Sequence, residues 1–285
     1  MALSKLTSED IVWRQQLLDE QFKCDTALEI DSFKIGVHWL ILCEHSDVFK
    51  AMYRSTCKES QPGHNIKLGF PIDAALLSTI VQYFYTHEIT LSPQNCFECI
   101  GFAHMYQIQH LLKIAKKFFL DEIDLGDQPA HVLTDLNFYF TEEQVSRMER
   151  RFILQLRHQH SMQWMELPVV LNLSVSGLVF LLCRFDLQCK DETSLFEVIV
   201  KWWKYEAEKR EPHLQTIIDK ALNTSELSAD AVSRIVSSHV SEPDHFLFRF
   251  AETLPIESIT TVRPARTKTD HIYCFELQIR QYLLF

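Results

Sequence analysis

The residue types here that could do chemistry are cysteines and histidines. In "CFECIGFAHMYQIQH", Cys96 and Cys99 stand at CxxC spacing and are followed by His104 and His110. Thiolate sulfur and imidazole nitrogen are the ligands zinc prefers. The interval from Cys99 to His104 falls far short of the ~12–15 residues of a zinc-finger loop. On a helix the same two cysteines share a face with Phe102 and Ala103 nearby, and a free thiol in such a stripe behaves as a small hydrophobe. The expectation is a pair of core thiols and no metal. His38 has the chemistry of a general base, but no Ser or Cys in a nucleophile-elbow context accompanies it. It is expected to bond local backbone. Thirteen His and eight Cys guarantee chance pairs in a chain of this length. The six glycines, at 36, 63, 69, 101, 126 and 177, never reach a GxG spacing, so no loop can cradle a phosphate. No enzyme activity and no cofactor are expected.

A second kind of chemistry is docking. "HSDVFKAMYRSTCKES" ends an apolar helix in a loop that sets Cys57 two positions before Glu59. A soft side chain beside a carboxylate suits a partner's slot and rim, and it also suits a helix fraying into a surface loop.

The elements that must position these residues fall into two blocks. The 285 residues allow about two domains, each with its own core. An apolar stripe at Ile11, Leu17, Leu18 and Phe22 predicts a first helix, opened by Ser8-Glu9-Asp10. Ala27 to Val37 alternate as two strands around a turn at Asp31-Ser32, passing into a helix near His38. Asn65–Phe70 reads as another strand. Helices are predicted over 72–85, over 93–106 with Ser92 as N-cap, and over 108–119. Beyond Gly126 and Pro129 the pattern is wholly helical, over 130–139, 142–157, 162–172, 177–184, 192–208, 212–222 and 229–240. "HIYCFELQI" (271–279) then alternates like one isolated strand.

Charge and hydropathy exclude several classes. A net charge of −10 repels phosphate backbones and anionic lipid, so nucleic acid is not an expected partner. The longest apolar stretch, 167–183, is interrupted by Asn172, Ser174, Ser176 and Gly177, and no membrane span is expected. The N-terminus lacks an apolar signal region. The cysteines are therefore expected as reduced thiols in cytoplasm or nucleus.

Particular residues in this pattern resemble a known family. "CDTALEIDSFKIGVHWLILCEHSDVFKAMY", then "IKL", "LLSTIVQYFYTHEITLS" and "GFAHMYQIQHLLKIAKKFF", follow in the order of a BTB (POZ) domain. The chain departs from that pattern at Trp39, where Arg is common. "WMELPVVLNLSVSGLVFLL" and "LQCKDETSLFEVIVKWWKYEAEKREPHL" resemble a BACK domain. The resemblance implies an α+β BTB/POZ domain over 10–122, an all-α BACK-like helical domain over 123–255, and a short tail over 256–285 without kelch repeats. It implies a substrate-recruiting adaptor of a cullin-3 ubiquitin ligase that homodimerises and brings an unknown substrate protein. The other reading is an oligomerising scaffold, transcriptional or cytoskeletal, without cullin binding. By the same resemblance Cys57 and Glu59, with Tyr53 and Tyr106, contact the cullin. Ile11, Leu17, Leu18, Phe22 and Asp25 form the dimer interface. Cys57 is shorter than the Leu or Met common there by one or two methylenes, at about 0.8 kcal/mol each.

Overall fold

A computed structural model describes residues 7–20, 22–55, 64–156, 164–165, 167–183, 191–240 and 245–254. Cys57, Glu59 and the strand-like 271–279 lie outside the described residues. The chain divides into two compact units between Ile123 and Asp124.

Unit 1 opens with α1 (Ser8–Asp19). Its N-cap is Thr7, one residue ahead of the expected start. The Thr7 Oγ1 accepts from the Asp10 N–H at 3.2 Å while the Thr7 N–H donates to the Asp10 carboxylate at 3.0 Å, a reciprocal capping box. The helix stops before Phe22, so that residue leaves the predicted stripe. β1 (Thr26–Ile30) and β2 (Phe33–Val37) pair antiparallel across the Asp31-Ser32 turn. Asp31 takes a left-handed φ of 46°, which a tight hairpin requires and Asp tolerates. β3 lies parallel to β1, giving the order β2-β1-β3, but it spans only Ile66–Lys67 rather than 65–70. The Leu68 N–H still donates to the Glu29 carbonyl at 2.9 Å, and the Gly69 N–H donates to the Tyr106 hydroxyl at 3.1 Å.

Three features of the unit 1 helices place the site. α2 (Trp39–His45) and α3 (Asp47–Arg54) are separated by Ser46 alone. α4 (Ala74–Thr86) starts on Asp73, whose carboxylate accepts from the N–H groups of Ala75 and Leu76. It ends on His87 in a left-handed conformation, φ 62°. α5 (Cys96–Met105) begins three residues later than predicted. Asn95 rather than Ser92 precedes it, because the Asn95 Oδ1 turns back to accept the Ser92 N–H at 2.8 Å and closes a turn over Pro93. α6 (Gln109–Glu122) packs on α5. Cys96 and Cys99 are buried there, and the Cys96 Sγ donates to the Ala115 carbonyl at 3.3 Å.

The described residues of unit 2 are helical throughout. α7 (Ala130–Tyr139) has the predicted bounds, and α8 (Glu142–Gln155) is opened by a Thr141–Gln144 capping box. The helix expected over 162–172 is α-helical among the described residues only at α9 (Pro168–Leu171). Leu167, which precedes the proline, is held extended at φ −68° and ψ 132°. α10 (Val175–Leu182) starts on Ser174. α11 (Glu192–Tyr205) breaks at Glu206, short of the predicted 208, and α12 (Ala207–Arg210) follows. Its predicted face of Leu195, Val198, Ile199 and Trp202 is buried, but so are Phe196, Val200 and Trp203, so the helix is covered on more than one side. α13 (Leu214–Ala221), α14 (Ala229–His239) and an unpredicted α15 (Phe246–Glu252) complete the unit.

One glycine in this unit is sterically required. The buried Glu149 of α8 reaches the start of α10, where its carboxylate accepts from the Ser174 N–H at 2.5 Å and the Ser174 hydroxyl at 2.6 Å. Burial pushes its carboxyl above the usual range, although both Ser174 bonds oppose that. A Cβ on Gly177 would stand 2.6 Å from the Glu149 Oε2. Gly177→Ala is therefore expected to destabilise the protein by about 1–3 kcal/mol, as overpacking of a closed site does. Chemical denaturation checks this, and an unchanged midpoint would refute it.

Candidate partner-binding surface

The centre of the site is a knot behind α3. Ser46 ends α2 and caps α3: its Oγ accepts from the Phe49 N–H at 3.1 Å and donates to the Tyr106 carbonyl at 2.5 Å. The fully buried Phe49 ring stacks on the Tyr106 ring at 5.0 Å and 18°. Phe102 closes on the other side at 4.7 Å. The loop after α5 thus fixes α3 from behind, and the outward face of α3 is left to solvent.

That face carries Asp47, Lys50, Ala51 and Arg54 around a cleft of about 540 Å³, completed by Ser55. Tyr53 is 55% exposed, its ring 5.5 Å from that of Trp39. Trp39, the departure from the family pattern, is buried. Tyr106, expected against the cullin, lies on the inner side of α3. It is 4% exposed and its hydroxyl is occupied by Gly69, so it positions α3 rather than facing outward. Sequence reading singled out Tyr53 but not Lys50 and Arg54; their i,i+4 spacing in "KAMYR" is the signal that could have found them.

The residues expected at a dimer interface are not brought to one exposed face. Ile11, Leu17 and Leu18 are half-buried on α1, which packs against α4 of its own chain. The Arg14–Glu44 ion pair at 3.1 Å also ties α1 to α2. Asp25 serves its own subunit as well, its Oδ1 accepting the Trp39 N–H at 2.8 Å. On and around α1 and α2, the exposed apolar side chains among the described residues are Trp13 (60%), Leu40 (79%) and Phe22 (49%), with Val12 beside Trp13. The stripe rule missed Val12 and Trp13 because it ranks the face turned to the chain's own core.

The His38 Nε2 lies 2.9 Å from the Phe22 carbonyl, which can only accept, so Nε2 carries the proton. Its Nδ1 then accepts from the Tyr85 hydroxyl at 2.7 Å, and that oxygen accepts the His38 N–H at 3.2 Å. A ring so committed is structural. Burial pushes the thiols of Cys96 and Cys99 up to about 12, so neither offers a thiolate. Among the described residues, no group of three or more His, Cys, Asp or Glu side chains is placed to hold a metal. No helix there is long and apolar enough to cross a membrane.

Comparison with known proteins places this geometry. Residues 14–123 match the BTB/POZ domain model, and residues 140–237 match the model described as BTB And C-terminal Kelch. Kelch-like protein 40 of Xenopus laevis is 27% identical over 231 residues, covering 77% of this chain and 36% of that protein. Kelch-like protein 7 of Mus musculus is 23% identical, covering 69% of this chain and 32% of its own. Kelch repeat and BTB domain-containing protein 2 of Pongo abelii is 22% identical, covering 78% and 33%. The chain spans about a third of the length of these curated relatives. With a three-stranded sheet and its helices ahead of a helical unit, and both domain models matched in that order, the chain carries a BTB/POZ domain followed by a BACK domain.

Proposed function

We propose that this protein is a non-enzymatic adaptor of a cullin-3 ubiquitin ligase. Residues 10–122 homodimerise and grip the cullin, residues 123–255 act as a spacer toward a substrate protein, and residues 256–285 continue beyond the spacer. The observation that carries this reading is the outward face of α3, fixed from behind by Ser46, Phe49 and Tyr106 and leading at Arg54 toward Cys57 and Glu59. Cys57 fills an apolar slot on the cullin, Glu59 meets its rim, and Tyr53 packs alongside. The exposed Val12, Trp13, Phe22 and Leu40 extend the dimer interface beyond Ile11, Leu17, Leu18 and Asp25.

Light scattering on a mixture with the cullin-3 N-terminal domain tests dimer and docking together. The expected species holds two copies of the 33.5 kDa chain and two cullin domains. Glu59→Lys should leave the dimer alone in solution, while Cys57→Leu should tighten binding several-fold by filling the slot. A dimer with no affinity for the cullin would instead support the oligomerising scaffold. A monomer would remove both readings.

A further inference from the structure

The cleft on α3 has a charge pattern that names the chemistry of what fills it. Lys50 and Arg54 stand one turn apart along its wall. Among the described residues neither is held in an ion pair. The nearest acidic residue of α2, Glu44, is already engaged by Arg14 at 3.1 Å. Asp47, at the other end of the cleft, sits in the first turn of α3, where a carboxylate is favoured by the helix dipole. The cleft therefore runs from negative at Asp47 to positive at Arg54, on a chain whose net charge is −10. A cationic turn with no ion-pair partner among the described residues, on so acidic a protein, selects for an anion.

We infer that this cleft receives an acidic segment of the protein partner, with an aspartate or glutamate side chain seated between Lys50 and Arg54. The inference rests on the proposed function and deepens it, since Ser55, the last residue lining the cleft, precedes Cys57 and Glu59 in the chain by two and four positions. The partner then presents alternating charge: basic opposite Glu59, acidic opposite Lys50 and Arg54. Such a pattern fixes the register of docking and steers the encounter, both more sensitive to salt than an apolar slot is. The alkyl stems of Lys50 and Arg54 line the cleft walls while their charged heads reach the anion.

The test measures affinity and association rate for the cullin-3 N-terminal domain at low and high salt. Lys50→Glu/Arg54→Glu should weaken binding at least tenfold at low salt, chiefly through a slower association rate. Lys50→Gln/Arg54→Gln should flatten the salt dependence. Asp47→Asn should leave binding unchanged or strengthen it. Circular dichroism and the mass of the free chain control for folding. If Glu59→Lys abolishes binding but both Lys50/Arg54 variants bind like wild type with the same salt dependence, the docking reading stands and the acidic-segment inference falls. If wild type does not bind at any salt, the docking reading falls first. Tighter binding of the glutamate variant would mean a basic segment fills the cleft and would overturn the inference.

Discussion

Arg210→Ala is expected to cost about 3–5 kcal/mol and to lower the melting temperature of the protein on the order of 10 °C. The reason lies in how α11 ends. A helix leaves its last carbonyls without partners, and the break at Glu206 leaves the Trp202 carbonyl inside the unit. The buried Arg210 turns back and donates through Nη1 to that carbonyl at 2.5 Å and to the Leu171 carbonyl at 2.8 Å. Its Nη2 donates to the Glu206 carboxylate at 3.0 Å, and the guanidinium lies 4.3 Å over the Trp202 ring. One planar side chain thus closes α11, anchors α9 and stacks on an aromatic. Alanine strands the two carbonyls, each with its own desolvation penalty, while the part-exposed Glu206 carboxylate keeps Lys209 at 2.7 Å. Lysine keeps the charge but cannot fork between two carbonyls and a carboxylate, so Arg210→Lys should recover less than half of the loss. Thermal unfolding followed by circular dichroism measures both variants. A loss below about 1 kcal/mol for alanine would mean that water replaces the guanidinium.

The second large effect is acid lability of unit 1. His45 is buried, its Nε2 donating to the Phe84 carbonyl at 2.8 Å, while its Nδ1 has no hydrogen-bond partner among the described residues. The His87 ring stands edge-on at 5.0 Å. Burial first, and the neighbouring His87 second, hold the His45 imidazole down at about 4. Burial lowers His87 as well. A histidine whose folded value lies below its unfolded one binds its proton more readily in the unfolded chain. The stability it contributes is complete above about pH 6.5, shrinks as pH falls toward 4, and shrinks no further below that. At pH 5 the His45 share of the loss is about 2 kcal/mol. His45→Gln keeps a donor for the Phe84 carbonyl and removes the titration. It should lose stability at pH 7 and show a shallower decline from pH 7 to pH 5 than wild type. Parallel declines would exclude His45 as the acid-sensitive group.

What could be read from the sequence was whatever depends on near neighbours. The 130–139 helix, the hairpin about Asp31-Ser32 and the Leu195–Trp202 stripe are set by local periodicity and turn chemistry, and each stands where the pattern put it. The misplacements arise from long-range partners. α11 stops early because Arg210 is tied to Leu171, 39 residues away. β3 is as long as its pairing with β1, 38 residues earlier, allows, and that pairing covers Ile66 and Lys67 alone. The burial of Tyr106 follows from Ser46 and Phe49, which no sequence period links to it. α15 is seven residues long, too short for a helical period to show clearly. At the candidate site, the charges of α3 stand out only once Glu44 is seen to be taken by Arg14, 30 residues away.

Ser46, extended at φ −132° and ψ 124°, ends one helix and begins the next with no linker to absorb motion. A partner landing on α3 meets backbone that is already ordered. Little conformational entropy of that helix remains to be lost on association, so the free energy of each new contact passes almost whole into residence time. On the docking proposed above, the same rigidity would make the surface selective: a partner of slightly different shape would not be accommodated by a shift of α3 and would dissociate.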